Sequence, residues 1–180
     1  EVSMVAIIAI IFIAASLGTQ NFLTAYNLTN ILKQCAIIGI ISIAETYVII
    51  TAGIDISCGA IVGMSTLIVA MSQAKWGLSV PVSLLLGILV AIISGVFNAS
   101  LVYEFRVPAF VATLGSQTIL RGLIKVISNG GTVAGINKSF AGFASASVGF
   151  IPNLAIVWFV IAVICFLILK YTIFGRNLFV

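Results

Sequence analysis

Six apolar segments, separated by short polar breaks, constrain the fold of this chain more than any other feature. A helix needs about 20 apolar residues to cross a hydrocarbon layer of about 30 Å. Most of the six approach that length, whereas the first and third are shorter. We therefore predict an all-α, polytopic transmembrane bundle with about six helices. The segments cover residues 2–17, 31–50, 56–71, 80–103, 108–127 and 153–169.

The composition agrees with a membrane location and argues against other classes. Hydrophobic residues make up 62% of the sequence and charged residues 7%, which is too apolar for one water-soluble core. We expect a multi-pass protein of the plasma or inner membrane, in contact with the lipid bilayer. The net charge of +4 comes from scattered Lys and Arg residues. No nucleic-acid partner is therefore expected, and contact with lipid headgroups is the simpler interpretation.

Residues 1–180 are predicted to form a single transmembrane domain. Because neither end carries a polar tail, we expect the sequence to be part of a longer polypeptide. It has no His and only one Asp, which excludes a Ser–His pair and a two-aspartate protease within these residues. The three cysteines are far apart and lack the spacing of a zinc site. We expect no catalytic residue and no metal site, and therefore not an enzyme.

A glycine and aspartate break at residues 49–59 separates the second and third segments. A carboxylate near hydrocarbon costs on the order of several kcal/mol, so Asp55 is expected to cap a helix, pair with a charge or act in function. The favoured interpretation is an N-cap of the third helix. Gly53 would make the turn, and the side chain of Asp55 or Ser57 would accept backbone N–H groups. The alternative is a direct role in a transport path, and both can hold together.

The fifth segment carries polar side chains where lipid cannot satisfy them. Helical spacing places Thr113, Gln117 and Arg121 on one face. Hydrogen bonding between helices and the lining of a pathway are equally compatible with this face. Glu45 lies deep in the second segment, and an ion pair with Arg121 is our working hypothesis. The alternative is a protonated Glu45 that is hydrogen-bonded locally.

Small residues recur every four positions along the fourth segment and form one smooth helix face, here called the stripe. Such a face lets another helix backbone approach closely. We predict that the stripe packs within the bundle, also at Gly95. A substrate groove is the less favoured alternative. The stripe consists of Ser83, Gly87, Ala91, Gly95 and Ala99.

Three motifs stand out: residues 45–59 (ETYVIITAGIDISCG), residues 107–115 (VPAFVATLG) running into 119–123 (ILRGL), and residues 174–176 (FGR). In order and spacing they resemble motifs of ABC-importer permeases for ribose, xylose, galactose and related sugars. The resemblance covers nearly the whole chain. Ala52 stands where Gly is common and Cys58 where Val is common, and neither substitution is expected to threaten the fold. Family members are nearly twice as long, and their second half is absent from this sequence.

The resemblance implies a permease with about ten helices in the full chain, working as a dimer with a second copy or a paralogue. A sugar-binding protein would dock outside and a separate ATPase inside. Alternating access driven by ATP would transfer the sugar chemically unchanged. The sequence contains no GxxxxGK[ST] phosphate loop, so ATP would be used by the partner ATPase and no cofactor bound by this chain. In this family the external binding protein chooses the substrate, so the resemblance does not name the sugar.

The resemblance also assigns roles to individual residues. Phe174, Gly175 and Arg176 would begin the cytoplasmic contact with the ATPase. Arg121 would stand beside the passage. The loop at residues 132–151 is expected to be partly ordered on the membrane surface. The candidate residues of the path or helix break are Gly53, Asp55, Ser57, Gly59, Thr113, Gly115 and Gln117.

Two other function classes are also compatible with these residues. An ion-coupled secondary carrier or channel would use Glu45 and Asp55 as coupling-ion sites. A membrane scaffold would use the polar groups only to hold its helices together. The positive-inside rule does not decide the orientation, because three basic residues fall on each predicted side. Those inside would be Arg106, Lys170 and Arg176, and those outside Lys33, Lys75 and Lys138.

Overall fold

The computed structural model describes residues 2–179, with side chains from residue 3 onward. This part of the chain forms eight helices and one two-stranded antiparallel hairpin, which confirms the all-α prediction. The end residues Glu1 and Val180, to which the predicted domain extends, lie outside the described residues. The helices are α1 (Val2–Gly18), α2 (Ala25–Ile50), α3 (Cys58–Ala74), α4 (Val80–Tyr103), α5 (Ala109–Ser128), α6 (Lys138–Ser145), α7 (Asn153–Tyr171) and α8 (Ile173–Leu178), and the strands are β1 (Ser147–Val148) and β2 (Ile151–Pro152).

Each predicted apolar segment is a helix, and residues 51–57 form an irregular break between α2 and α3. Within the described residues, α2, α4, α5 and α7 are long and apolar enough to cross a membrane, and α1 and α3 are shorter apolar helices. The helix α2 begins earlier than the apolar pattern indicates. Its N-terminus is capped by Thr24, whose Oγ1 accepts from Asn27 N–H at 3.3 Å.

The helices pack in two groups. In the first group α3 packs against α4 and α5, and α4 also contacts α5. In the second group α2 packs against α7, which continues into α8. The second group depends on Gly39 of α2, where a Cβ would collide with the indole ring of Trp158. The break connects the two groups, because it joins α2 to α3.

The helix α6 connects the two groups at one end of the bundle. It lies in the loop predicted at residues 132–151, which the structure shows to contain a helix and a hairpin. Lys33 Nζ of α2 donates to Ser145 O at 2.9 Å, and Gln73 Oε1 of α3 accepts from Asn137 N–H at 3.0 Å. The start of α2, the end of α3 and α6 therefore share one end of the bundle, and the break and α8 share the other. Which end faces the cytoplasm stays a prediction.

Candidate functional site

The break begins with a tight turn at the end of α2. Ala52 N–H donates to Ile49 O at 2.9 Å, and Gly53 N–H donates to Val48 O at 3.0 Å. Ala52 has a φ of +55°, in the left-handed region, which costs a residue with a Cβ about 1–2 kcal/mol. Glycine, common here in the family that the sequence resembles, adopts this conformation without that cost. The fold therefore tolerates Ala52, but with local strain.

Asp55 fixes the second half of the break. Its Oδ1 accepts from Ser57 N–H at 2.7 Å and from the Ser57 hydroxyl at 2.6 Å. Ser57 stands directly before α3, but its side chain makes no capping bond to the first turn. The predicted side-chain N-cap is therefore wrong. Asp55 bonds an amide that precedes the helix, and the Ser57 hydroxyl donates to Asp55 instead of accepting from the first turn.

Helices α4 and α5 hold the break from two sides. Asn98 of α4 donates through Nδ2 to Ser57 Oγ at 2.8 Å. Thr113 of α5 accepts from Ile56 N–H at 3.3 Å, and its hydroxyl lies 3.2 Å from Ile54 O. Ser57 is fully buried, Asn98 is 7% exposed and Thr113 is 4% exposed. These contacts make the break a fixed element of the first helix group.

The hydrogen bonds that link Asn98 to Asp55 run in one direction. An ionised carboxylate only accepts hydrogen bonds. Ser57 therefore gives its single hydroxyl proton to Asp55 and accepts from the Asn98 amide nitrogen. This orientation leaves Asn98 Oδ1 as an acceptor, and that atom is buried without a hydrogen-bond partner in the described part of the chain. Asn98 thus has unused hydrogen-bonding capacity beside the break.

A groove of about 390 Å³ opens beside the break and is bordered by α4 and α5. Gly95 and Ala99, two residues of the stripe, form part of its wall. Apart from the adjacent residues and the nearby backbone of α4 itself, no atom of residues 3–179 lies within 4 Å of the position that a Cβ on Gly95 would take. The prediction that Gly95 packs against a helix is therefore wrong for this chain, because the irregular break borders the groove there. Asp55, Gly53, Asn98 and Thr113 also line this groove, here called the break groove.

Gln117 and Arg121 follow Thr113 at helical spacing along α5 but line a different groove. Thr113 is buried against the break, whereas Arg121 is exposed. A second groove of about 420 Å³ runs along this exposed face and is lined by Gln117, Arg121 and Lys125. The residues predicted to line one path are therefore found in two separate places.

Three further candidate residues lie outside both grooves. Gly59 and Gly115 are exposed, and among the described atoms none lies within 4 Å of a Cβ built on either. The Glu45 carboxyl lies beside the Cys58 thiol at the start of α3. The structure does not bring Glu45 and Arg121 together, and their ion pair stays a prediction.

The Phe-Gly-Arg motif forms half of the short helix α8. Thr172 caps this helix, because its Oγ1 accepts from Gly175 N–H at 3.2 Å. Gly175 is buried, and a Cβ on it would collide with the backbone of Leu169. Phe174 is 57% exposed, and Arg176 is exposed as well. Both side chains therefore present surface to a partner, whereas Gly175 does not.

Comparison with known families decides the class of the chain. Residues 27–180 match the family model described as branched-chain amino acid transport system / permease component. The chain belongs to this permease family. Together with its long apolar helices, this membership makes the permease a multi-pass protein of the cell membrane, which confirms the predicted location.

Similar proteins are sugar and signal-molecule permeases by name. The permease is 34% identical to the ribose import permease protein of Bacillus subtilis (strain 168), over 93% of this chain and 52% of that protein. It is 34% identical to the D-allose transport system permease protein of Escherichia coli (strain K12), over 98% and 53% respectively. It is 32% identical to the autoinducer 2 import system permease protein of Salmonella typhi, over 97% and 50%. The chain thus spans about half the length of these relatives. No solved structure matches it.

Two residues of the permease were not identified from its sequence as parts of the site. Asn98 is the only amide side chain in the fourth apolar segment, and a strongly polar side chain in an apolar helix signals a buried contact. Tyr47 lies inside the first motif, and its hydroxyl donates to Cys165 O at 2.6 Å. No spacing pattern predicts that bond, because 118 residues separate the two.

Proposed function

We propose that this chain is part of the membrane-spanning permease subunit of an ATP-driven ABC importer. It would pass a monosaccharide or related small polar solute across the cell membrane by alternating access. The observation that carries the proposal is the break groove, where Asp55, Asn98 and Thr113 place polar groups inside the largely apolar bundle of a family permease. The relatives are named for ribose, D-allose and autoinducer 2. These names favour a small hydroxylated solute over an amino acid.

The break groove suits a neutral solute rich in hydroxyl groups. Asp55 lines the groove with a carboxylate, which accepts hydrogen bonds from hydroxyl groups. Asn98 Oδ1 lies buried beside the groove without a partner among the described residues. Val102 and Ala109 provide an apolar wall. The volume of about 390 Å³ falls within the range of about 300–1,000 Å³ of small-molecule sites. Gly53 and Ser57 shape the groove through the backbone of the break, and the solute passes without chemical change.

The exposed polar face of α5 supports an assembly larger than this chain. Gln117, Arg121 and Lys125 lie on a helix of membrane length, where lipid does not satisfy charged groups. We place a second permease copy or a paralogue next to this face, with the wet passage between the two. Arg121 would then line the passage rather than pair with Glu45.

The ATP-binding subunit would dock on α8. The exposed Arg176 guanidinium can hold carboxylates or carbonyls of a partner, as arginine does at many interfaces. ATP hydrolysis would belong to that subunit, and this chain would bind no cofactor itself. An extracytoplasmic sugar-binding protein would dock at the opposite end, on α6 and the hairpin.

This arrangement puts α8 in the cytoplasm and α6 outside, which cysteine labelling tests. Single cysteines would replace Ser139 and Asn177 in a variant that lacks the native Cys35, Cys58 and Cys165. An impermeant thiol reagent should label the two positions from opposite sides of the membrane, and Asn177→Cys only from the cytoplasm. Labelling of both from the same side would contradict the topology.

Uptake into sealed vesicles tests the function itself. We expect uptake of labelled ribose or D-allose to require ATP on the α8 side and a binding protein on the α6 side. Dissipating ion gradients should leave this uptake unchanged. Uptake driven by an ion gradient without ATP would instead support a secondary carrier that uses Glu45 and Asp55. Assembly without any uptake would support a scaffold.

The ATPase contact has its own test. Arg176→Ala should lower solute-stimulated ATP hydrolysis and leave the permease folded. The matched control is Lys170→Ala, which removes a cation at the same end that lies over the rings of Phe166 and Tyr171. Normal hydrolysis and transport by Arg176→Ala would show that Arg176 only anchors the chain at the membrane surface.

A further inference from the structure

Tyr47 joins parts of the molecule that the proposed function requires to move together. It is half-buried and lies in the last turn of α2. Its hydroxyl donates to Cys165 O of α7 at 2.6 Å. Its ring stacks on Phe174 of α8, with ring centroids 6.3 Å apart and planes inclined by 27°. One side chain therefore contacts α7 and α8 close to the point where α2 becomes the break.

The corner between α7 and α8 is tightly built. Thr172 Oγ1 donates to Ile168 O at 2.6 Å and accepts from Gly175 N–H at 3.2 Å. Gly175 packs directly on the backbone of Leu169. Close-packed contacts of this kind have little free volume and transmit strain. A displacement of α8 should therefore reach Tyr47 instead of being absorbed at the corner.

On its other side, Tyr47 is continuous with the break. The next residue, Val48, accepts from Gly53 N–H at 3.0 Å. The Val48 Cγ1 also lies 3.0 Å from the position of a Cβ on Gly53, so the two residues are in close contact. Val48 and Gly53 both line the break groove. A shift of the last turn of α2 would thus move one wall of the groove against α4 and α5.

We propose that Tyr47 is a positioning residue that transmits displacement of α8 to the helix break. The ATPase contact and the break groove would then move as one unit. The inference rests on the proposed docking of the ATPase on α8. A purely structural role, in which Tyr47 only packs α2 against α7, predicts that α8 and the break respond independently.

Amide hydrogen exchange of the purified permease tests the link without any partner. Tyr47→Leu removes both the hydrogen bond and the ring stacking, whereas Tyr47→Phe keeps the ring. We expect exchange in residues 173–178 and in residues 51–54 to rise together, about ten-fold in the Leu variant and about three-fold in the Phe variant. The control is Tyr26→Leu at the opposite end of α2, where the side chain is 80% exposed.

The Tyr26 control should change exchange in neither region. A rise confined to one region in Tyr47→Leu, or no rise at all, would overturn the inference. If Tyr47→Leu fails to fold, Tyr47→Phe decides the test, because it preserves the packing of the ring. The deciding result is then whether exchange in residues 173–178 and in residues 51–54 rises together in the Phe variant.

Transport by the complete importer, with its ATPase and binding protein, provides the second readout. In Tyr47→Leu we expect ATP hydrolysis to continue while the amount of solute moved per ATP falls about five-fold or more, the size of a typical coupling between sites. An unchanged ratio would overturn the role in transport. One outcome separates the two proposals: amide exchange in α8 and the break rises together, but Arg176→Ala hydrolyses ATP and transports normally. In that case the docking of the ATPase on α8 is wrong, and with it the role of Tyr47 in transport. The physical link between α8 and the break would still stand.

Discussion

The two halves of the stripe on α4 share one sequence pattern but have different surroundings. Gly87 is buried, and a Cβ on it would lie 2.5 Å from Val69 Cγ2 and 3.4 Å from Ser65 O. Gly95, two turns later, is exposed and lines the break groove. The difference arises because α3 covers the first half, whereas the irregular residues 51–57 lie near the second. A repeat of small residues therefore identifies a smooth helix face but not what covers it.

The largest expected effect separates the two halves directly. Gly87→Leu should destabilise the chain by about 3 kcal/mol or more, because the added side chain would meet Val69 and the Ser65 backbone, which cannot move aside. Gly95→Leu is the matched control and should not destabilise the chain, because the position is open and replacing a glycine inside a helix is favourable by about 0.5–1 kcal/mol. Equilibrium unfolding in mixed detergent micelles measures both.

Equal losses in these two variants would contradict the distinction between a packed and an open half. The open half has a further readout in the complete importer. There, Gly95→Leu should reduce uptake although the protein remains folded, since the new side chain would occupy the break groove.

The next largest effect on stability concerns the hydrogen bonds that run from Asn98 through Ser57 to Asp55, beside the open half of the stripe. Asn98→Asp should destabilise by about 2 kcal/mol, because two carboxylates would compete for the single hydroxyl proton of Ser57. Asn98→Ala removes one donor without adding a charge and should cost about 1 kcal/mol. Equilibrium unfolding of both variants shows which of them loses more stability. An Asp variant as stable as the native chain would show that the chain of bonds does not run from Asn98 to Asp55.

The break also contains a strained backbone position, Ala52 with its positive φ, whereas the packed half of the stripe lies in a regular helix. Ala52→Gly should stabilise the chain by about 1 kcal/mol, because glycine adopts a positive φ without the penalty of a Cβ. Ala70→Gly in the middle of α3 is the control and should destabilise by about 0.5–1 kcal/mol. If the free energy of unfolding changes in the same direction in both variants, strain at Ala52 does not explain the result.

The smallest effect concerns the two charges that the structure leaves apart. Neutralising Glu45 and Arg121, singly and together, should give a coupling energy within about 0.5 kcal/mol of zero, as for sites that do not touch. The double-mutant cycle uses Glu45→Gln and Arg121→Gln. Recovery of stability in the double variant would restore the ion pair and would place α2 next to the polar face of α5.

Much of the fold was predictable, because each long helix follows a mainly apolar run of residues and membrane helices must satisfy their own backbones. The break was also conspicuous, since Asp55 is the only aspartate in the sequence. The side chains that hold the break through hydrogen bonds were not predictable in the same way. Ser57 and Asn98 are 41 residues apart, and their bond depends on how α4 crosses the break. Pattern and spacing describe one helix at a time, whereas the site is made by contacts between helices.

The capping prediction failed for a related reason. Asp55 and Ser57 have the residue types and positions of a helix start, but the Ser57 hydroxyl bonds Asp55 and Asn98 instead of an N–H of the first turn of α3. The stripe prediction held at Gly87 and failed at Gly95, where the chain next to it leaves the helical conformation. In both cases the missing information was the identity of the neighbour in space.

The contact of Gly175 with the Leu169 backbone means that adjacent residues of the Phe-Gly-Arg motif meet two different requirements. Any other residue at Gly175 would push α8 away from α7 whether or not a partner is bound, so the glycine serves folding. Arg176 is exposed, and its proposed value lies in assembly. A variant library selected only for stable membrane insertion should therefore retain Gly175 and lose Arg176, whereas a library selected for import should retain both. Adjacent residues of one motif would in this way be separated by the selection that is applied.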